Sequence, residues 1–313
     1  MTQEIRAGDV TFSVEDAGTG APVVFIHGWS MSGRFFQRQL THFAGTHRVV
    51  VPDLRGHGRS EKTTRGHTVP NYAADLHAIL AGLSVERPVL VGWSMGAMVA
   101  YEYLRAFGPD SVAGLVIVDQ PPSDFAWDGY EFGVITLDAL REMNEQLQLD
   151  QAAVVAEFAG LMLHEPDEQT MAWMSAEILQ VPPVIASTIL VDQTLRDYRE
   201  FLPQIGVPTL VLFGEDDKLT SPKAGRYIAD RIPGARLQTF PGSSHCPFWE
   251  EADAFNAAVA AFAAGGVLAL ATVGIGVWAL SGHADPGKRS AWSLQIAPTA
   301  GAREGGVVVV GQW

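Results

Sequence analysis

Two hydrophobic rhythms alternate along the first third of the chain. Short, nearly unbroken apolar runs end in turn residues: PVVFIHG (22–28), HRVVVPD (47–53), PVLVGW (88–93) and LVIVDQ (115–120). Between them lie stretches with helical spacing, 33–43, 71–83 and 96–107. VTFSVEDAG (10–18) differs, because its apolar and polar residues alternate as in a strand with one exposed face. Unbroken apolar strands belong in a parallel sheet covered on both sides, where neither face needs polar residues. The strand–helix rhythm therefore predicts an α/β fold with a mostly parallel, doubly wound sheet.

After PPSDF (121–125) this rhythm stops, and 126–203 reads as mostly helical, with breaks at HEP (164–166) and VPP (181–183). It then resumes with a strand and turn in VPTLVLFGEDD (207–217), a helix in 221–234, a strand in 235–240 and a last helix in 247–264. Pro222 suits the first turn of its helix, where a missing N–H costs nothing. A helical block between two strands of one sheet is a cap over the sheet edge. The expected organisation is a core of 1–120 and 204–264 with a cap of 121–203.

No charged residue occurs from Ala254 to Gly282, and the densest apolar stretch is 265–282. Its length is close to the minimum for a membrane span, so it is read as a transmembrane or hydrophobic helix. The tail 283–313 is read as a short hairpin, 291–298 with 307–313. Upstream, MTQEIRAGDV lacks the basic-then-apolar pattern of a signal peptide. The expected location is therefore cytoplasmic, with an anchor through 265–282. Lys288 and Arg289 beyond the span would favour the opposite orientation, but two basic residues are few.

Composition narrows the function classes. The 313 residues are 47% hydrophobic and 18% charged, enough apolar content for a large core. A formal net charge of −14 without a basic cluster excludes nucleic acid as an expected partner, since phosphate contacts need Lys and Arg. The single cysteine, Cys246, permits neither an internal disulfide nor a cysteine metal cluster, and no cofactor or metal is expected.

The chemistry centres on VGWSMGAMV (91–99), which places Ser94 between Gly92 and Gly96, after a strand and before a helix. G-x-S-x-G in that setting is a nucleophile elbow. A serine hydroxyl needs a base, and His245 lies in PGSSHCPFWEE just after the last predicted strand, near the strand ends where Ser94 sits. An orienting acid is offered by FGEDDKLTSP: Asp217 is preferred, Asp216 is the runner-up, and Asp119 at the end of 115–118 could also reach. The order serine, acid, histidine is that of a triad on this kind of sheet. Backbone N–H groups of Met95, at a helix start, and Trp29, in the loop after 22–26, are the expected oxyanion donors. Trp93, Phe125 and Trp127 are candidate pocket walls, and His27 is read as structural.

Taken together, FIHGWSMS (25–32), PDLRGHGRSEK (52–62), GWSMG (92–96), VDQPP (118–122), LFGEDDKLTSP (212–222) and GSSHCPFWEE (242–251) resemble the α/β-hydrolase superfamily. The likeness covers roughly 1–264 and is closest to cofactor-free bacterial haloperoxidases and arylesterases. It implies Ser94, Asp217 and His245 as the triad, Trp29 and Met95 as oxyanion donors, and a structural loop of Asp53, Arg55 and Gly56. Trp93 departs from the pattern, where histidine is commoner. The implied activity is a serine carboxylic-ester hydrolase with an acyl-enzyme intermediate, acting on small esters with apolar acyl or aryl groups. Perhydrolysis is a side activity that this likeness implies. Lactone, thioester and carbon–carbon hydrolysis are alternatives on the same triad. A membrane-tethered scaffold with a vestigial hydrolase fold is the non-enzyme alternative. Oligomeric state is left open.

Overall fold

The computed structural model describes residues 2–265. Among these, eight strands form one sheet: β1 (Thr2–Ala7), β2 (Val10–Ala17), β3 (Pro22–Ile26), β4 (Arg48–Pro52), β5 (Val89–Trp93), β6 (Gly114–Val118), β7 (Thr209–Gly214) and β8 (Arg236–Phe240). Their order is β1-β2-β4-β3-β5-β6-β7-β8. The β1–β2 and β2–β4 pairs are antiparallel and the rest are parallel. The unbroken apolar runs supply the parallel strands. Along β3, Val23 and Phe25 enter one core and Val24 and Ile26 the other, so the sheet is buried on both faces.

The edge strand β1 carries no hydrophobic signal. Its residues are exposed or half-buried, and it is held by its ladder to β2, from Thr2 opposite Glu15 to Ala7 opposite Val10. Only Ile5 and Ala7 pack against the core, an apolar face too short to mark a strand by itself.

The helices are α1 (Gln37–Phe43), α2 (Val69–Gly82), α3 (Met95–Phe107), α4 (Leu137–Leu149), α5 (Gln151–Leu161), α6 (Glu168–Ile178), α7 (Pro183–Thr194), α8 (Lys223–Ala229), α9 (Pro247–Glu250) and α10 (Ala252–Gly265). The helical insertion lies between β6 and β7. Its boundaries are set by caps: Thr136, Asp150 and Asp167 accept from the N–H groups of Ala139, Ala153 and Thr170. Pro183 opens α7, where its fixed φ is an advantage. The stretch before Thr136 is not helical, and a Phe125–Ile135 bridge closes a loop there.

The last helix is split, where the sequence predicts one helix over 247–264. Glu251 takes φ −116 and ψ 51 between α9 and α10. Its carboxylate instead accepts from Gly242 N–H (2.9 Å) and Ser243 Oγ (2.7 Å), bracing the loop that carries His245.

Among the described residues no single helix is long and apolar enough to cross a membrane. Apart from Gly265, which ends α10, the predicted span 265–282 lies outside the described residues, as does the tail 283–313.

Close backbone approach at the carboxyl ends of the strands positions the loops. At Gly214, which ends β7, a Cβ would lie 1.9 Å from the Ser244 carbonyl oxygen and 2.5 Å from that of Ser243. The turn after β7 and the loop after β8 therefore touch without room for a side chain. Gly214→Ala is expected to cost at least about 3 kcal/mol. That should lower Tm by on the order of 10 °C in thermal unfolding. Gly45→Ala, where a Cβ would meet nothing within 4 Å, is the matched control.

Candidate active site

Ser94 stands between β5 and α3 at φ 53 and ψ −128, a region that L-residues avoid. Holding a non-glycine residue there costs about 1–3 kcal/mol, so its surroundings must impose it. Ser94 N–H donates to the Val118 carbonyl at 2.9 Å. Two glycines permit the turn. A Cβ on Gly92 would lie 2.4 Å from the Gly96 oxygen, and one on Gly96 would lie 2.1 Å from the Ile26 oxygen. Gly28 brings the loop after β3 against Ser94: a Cβ there would be 3.1 Å from that of Ser94.

His245 and Asp217 meet beside it. His245 Nδ1–H donates to Asp217 Oδ2 at 2.9 Å, and both side chains are buried. The other acceptor sites of Asp217 are filled: Thr220 Oγ1 donates to Oδ2 (2.6 Å), and Leu219 and Thr220 N–H donate to Oδ1 (2.8 and 3.1 Å). Burial pushes this carboxyl upward. The adjacent His245, with the Thr220 and Leu219 donors, outweighs it and holds Asp217 below the usual carboxylate range.

The other two candidate acids lie elsewhere. Asp216 is exposed and hydrogen-bonds His164 Nδ1 at 2.9 Å. Asp119 is fully buried behind Asp217, at φ 45. Its Oδ1 accepts from Gly214 N–H (2.8 Å), and its Oδ2 has no donor to accept from. Burial, reinforced by the Asp217 charge, pushes Asp119 well above the usual carboxylate range. That shift favours the protonated form of Asp119 beside the charged Asp217.

Met95 is the first residue of α3, with its side chain in the core. Trp29 follows Gly28 in the loop after β3, and its indole N–H donates to the Ala186 carbonyl of α7 at 2.9 Å. His27 is fully buried: Nε2 accepts from Leu54 N–H (3.0 Å) and Nδ1 donates to the Gly28 carbonyl (2.9 Å). Its ring sets the shape of the loop.

Ser94, His245 and Trp29 open on one cavity of about 490 Å³. Its walls are largely apolar and come from the insertion, among them Phe132, Met143, Leu147, Phe158 and Leu190. The three expected wall residues are not part of them. Trp93 is fully buried beneath the site, packed on Phe35 and Phe248, and its Nε1–H donates to the His245 carbonyl (2.8 Å). It is a strut under the histidine rather than a wall, because β5 turns that side chain into the lower core. Phe125 and Trp127 pack on each other with tilted rings (centroids 4.7 Å apart), and Trp127 Nε1–H donates to Ser123 Oγ (2.8 Å). The true walls carry no local signal beyond helical periodicity, since a cap helix shows the same pattern whether it faces a core or a cavity.

The cap is also bonded to the loops that carry the pair. His245 N–H donates to the Met162 carbonyl (3.1 Å), Ser244 Oγ to Leu161 (2.9 Å), and Lys218 Nζ to Leu163 (2.8 Å). Glu250 accepts from His164 N–H and Ser244 N–H (2.6 and 2.8 Å).

Residues 21–252 match the model of the alpha/beta hydrolase fold family. The chain is 31% identical over 261 residues to a pimeloyl-[acyl-carrier protein] methyl ester esterase of Vibrio atlanticus, covering 79% of this chain and 96% of the relative. It is 30% identical to a non-heme haloperoxidase of Rhodococcus erythropolis, with 79% and 94% covered. An esterase structure from Exiguobacterium antarcticum superposes with a TM-score of 0.81 at 26% identity, covering 85% of this chain and all of that one.

The raised carboxyl of Asp119 makes a prediction by substitution. Asp119→Asn keeps an acceptor for Gly214 N–H and a donor toward Asp217, and is expected to change stability by less than about 1 kcal/mol in urea unfolding. Asp119→Ala strands the buried Gly214 N–H and leaves a cavity, and should cost about 2–4 kcal/mol. Equal loss in both variants would mean that Asp119 carries a charge.

Proposed function

The chain belongs to the α/β-hydrolase fold family and is an esterase-type hydrolase; within it we propose a serine carboxylic-ester hydrolase whose triad is Ser94, His245 and Asp217. The observation that carries this reading is the buried 2.9 Å His245–Asp217 hydrogen bond beside a strained Ser94 on the same cavity.

In this reaction His245 Nε2 takes the Ser94 hydroxyl proton as Oγ attacks the ester carbonyl. Asp217, accepting from Nδ1, fixes the tautomer that leaves Nε2 free as a base and stabilises the imidazolium that forms. The tetrahedral oxygen rests on the N–H groups of Met95, at the positive end of α3, and Trp29. His245 then protonates the leaving alcohol and activates water, which releases the acid and restores Ser94. The apolar walls favour an apolar acyl or aryl group. Hydrogen peroxide in place of that water yields a peracid, a side reaction in keeping with similarity to a haloperoxidase.

Ser94→Ala is expected to lower kcat/KM for p-nitrophenyl butyrate by several orders of magnitude, with the fold retained. A fluorophosphonate probe should label wild type and not this variant. Undiminished turnover by Ser94→Ala would overturn the proposal. Folded wild type that neither labels nor hydrolyses would favour the scaffold alternative.

A further inference from the structure

Within the apolar cavity lies a small polar floor that the triad does not use. Gln120, Asp124 and Gln193 line the same cavity as Ser94 and His245. Gln120 Nε2 donates to Asp124 Oδ1 (2.7 Å) and to the Pro121 carbonyl (3.0 Å). Gln193 Nε2 faces Asp124 Oδ2 at 3.5 Å. That contact orients the Gln193 amide, since its oxygen turned to the carboxylate would repel it. The segment is rigidly placed, because the Asp124 carbonyl accepts from Val134 and Ile135 N–H at 3.0 Å.

The balance of donors and acceptors in this floor is uneven. Both glutamine amides spend N–H groups on Asp124, whose two oxygens can each accept more. Gln193 is only 7% exposed, and its Oε1 is buried with no hydrogen-bond partner. A buried amide oxygen without a donor is costly and is rare in folded proteins. Burial raises the Asp124 carboxyl to about 6, and the Gln120 and Gln193 amides, which favour the ionised, accepting form, work against that rise. What is missing is a donor. The apolar walls favour a neutral one, which costs less to strip of water than an ammonium group.

We propose that this floor recognises a neutral hydrogen-bond donor, a hydroxyl or an amide N–H, carried by the substrate close to its reacting carbonyl. The inference rests on the serine-esterase reading for the identity of that carbonyl. It narrows the substrate class from apolar esters to hydroxyacyl or acylamino esters with an apolar remainder. Gln193 Oε1 and Asp124 are the accepting groups, and an ester lacking the donor leaves Gln193 Oε1 unpaired in the complex.

The test uses the full chain carrying Ser94→Ala, so that binding is read apart from turnover. Isothermal titration compares methyl 3-hydroxyoctanoate with methyl octanoate, and methyl N-hexanoylglycinate with methyl nonanoate. At least one donor-bearing ester should bind about tenfold or more tightly than its match. The preferred pair tells hydroxyl from amide. The preference should fall toward one when Gln193→Leu is added, and Gln193→Met serves if the branched side chain prevents folding. Equal affinities within both pairs, or a preference that survives loss of the Gln193 amide, overturns the proposal. Wild-type hydrolysis of the same esters separates the two readings. Turnover without a binding preference refutes the floor alone, whereas a binding preference without turnover supports the floor and refutes the esterase.

Discussion

The backbone at Ser94 is the constraint on which the rest of the site depends. Its positive φ is maintained by two close approaches that only glycine allows, Gly92 against α3 and Gly96 against the end of β3, and by the tight seat of Gly28 against Ser94 itself. Each brings a different element to within contact of the turn. The helix start at Met95, the loop bearing Trp29 and the side chain of Ser94 are thus placed together by backbone packing. Rigid placement of this kind lets a site hold charge without reorganising at the moment of reaction. The strain is carried by the parallel sheet, whose strands are buried on both faces.

The cap follows from a second constraint, the need to satisfy the polar groups of loops drawn into close contact. The last residue of α5 and the two that follow it offer their carbonyls to Ser244, His245 and Lys218, and Glu250 ties the same segment back. Trp29 is tied to α7 through Ala186. The insertion therefore does two things at once. It walls the cavity, and it supplies acceptors to the loops holding His245 and Asp217. Exchanging the cap for one of another shape would disturb the positioning of these loops as well as the form of the cavity.

Much of this is legible in the chain, for a physical reason. The parallel strands, the elbow and the order Ser94, Asp217, His245 each leave a local mark: an unbroken apolar run, two glycines around a serine, an acid or histidine just past a strand. What escapes is set by contacts between distant segments. Strand β1 is invisible because its ladder to β2 defines it, while its apolar face is only Ile5 and Ala7. The break at Glu251 depends on a carboxylate turned to the loop at Gly242. Trp93 reads as a wall from its place beside Ser94, yet alternation along β5 sends it under His245. The cavity walls, drawn from helices of the insertion, share one periodicity with the cap core.

The acids around the site show how one residue type is divided among roles by its surroundings. Asp217 is buried but receives His245 and a set of donors, so it is held as a low-lying anion. Asp119, in the same wall, receives one backbone N–H and faces that anion, which raises its carboxyl and favours the protonated form. Two adjacent buried carboxyls cannot both be charged, and the better-solvated one keeps the charge. Asp124, with two amide donors and the cavity beside it, lies between these extremes. The result is one fixed negative charge behind the histidine and a second acceptor on the cavity wall. Moving apart the pKa values of similar groups is how a protein assigns them different work. Here the assignment is made by counting N–H donors: three N–H or O–H donors besides His245 at Asp217, one at Asp119, and two at Asp124.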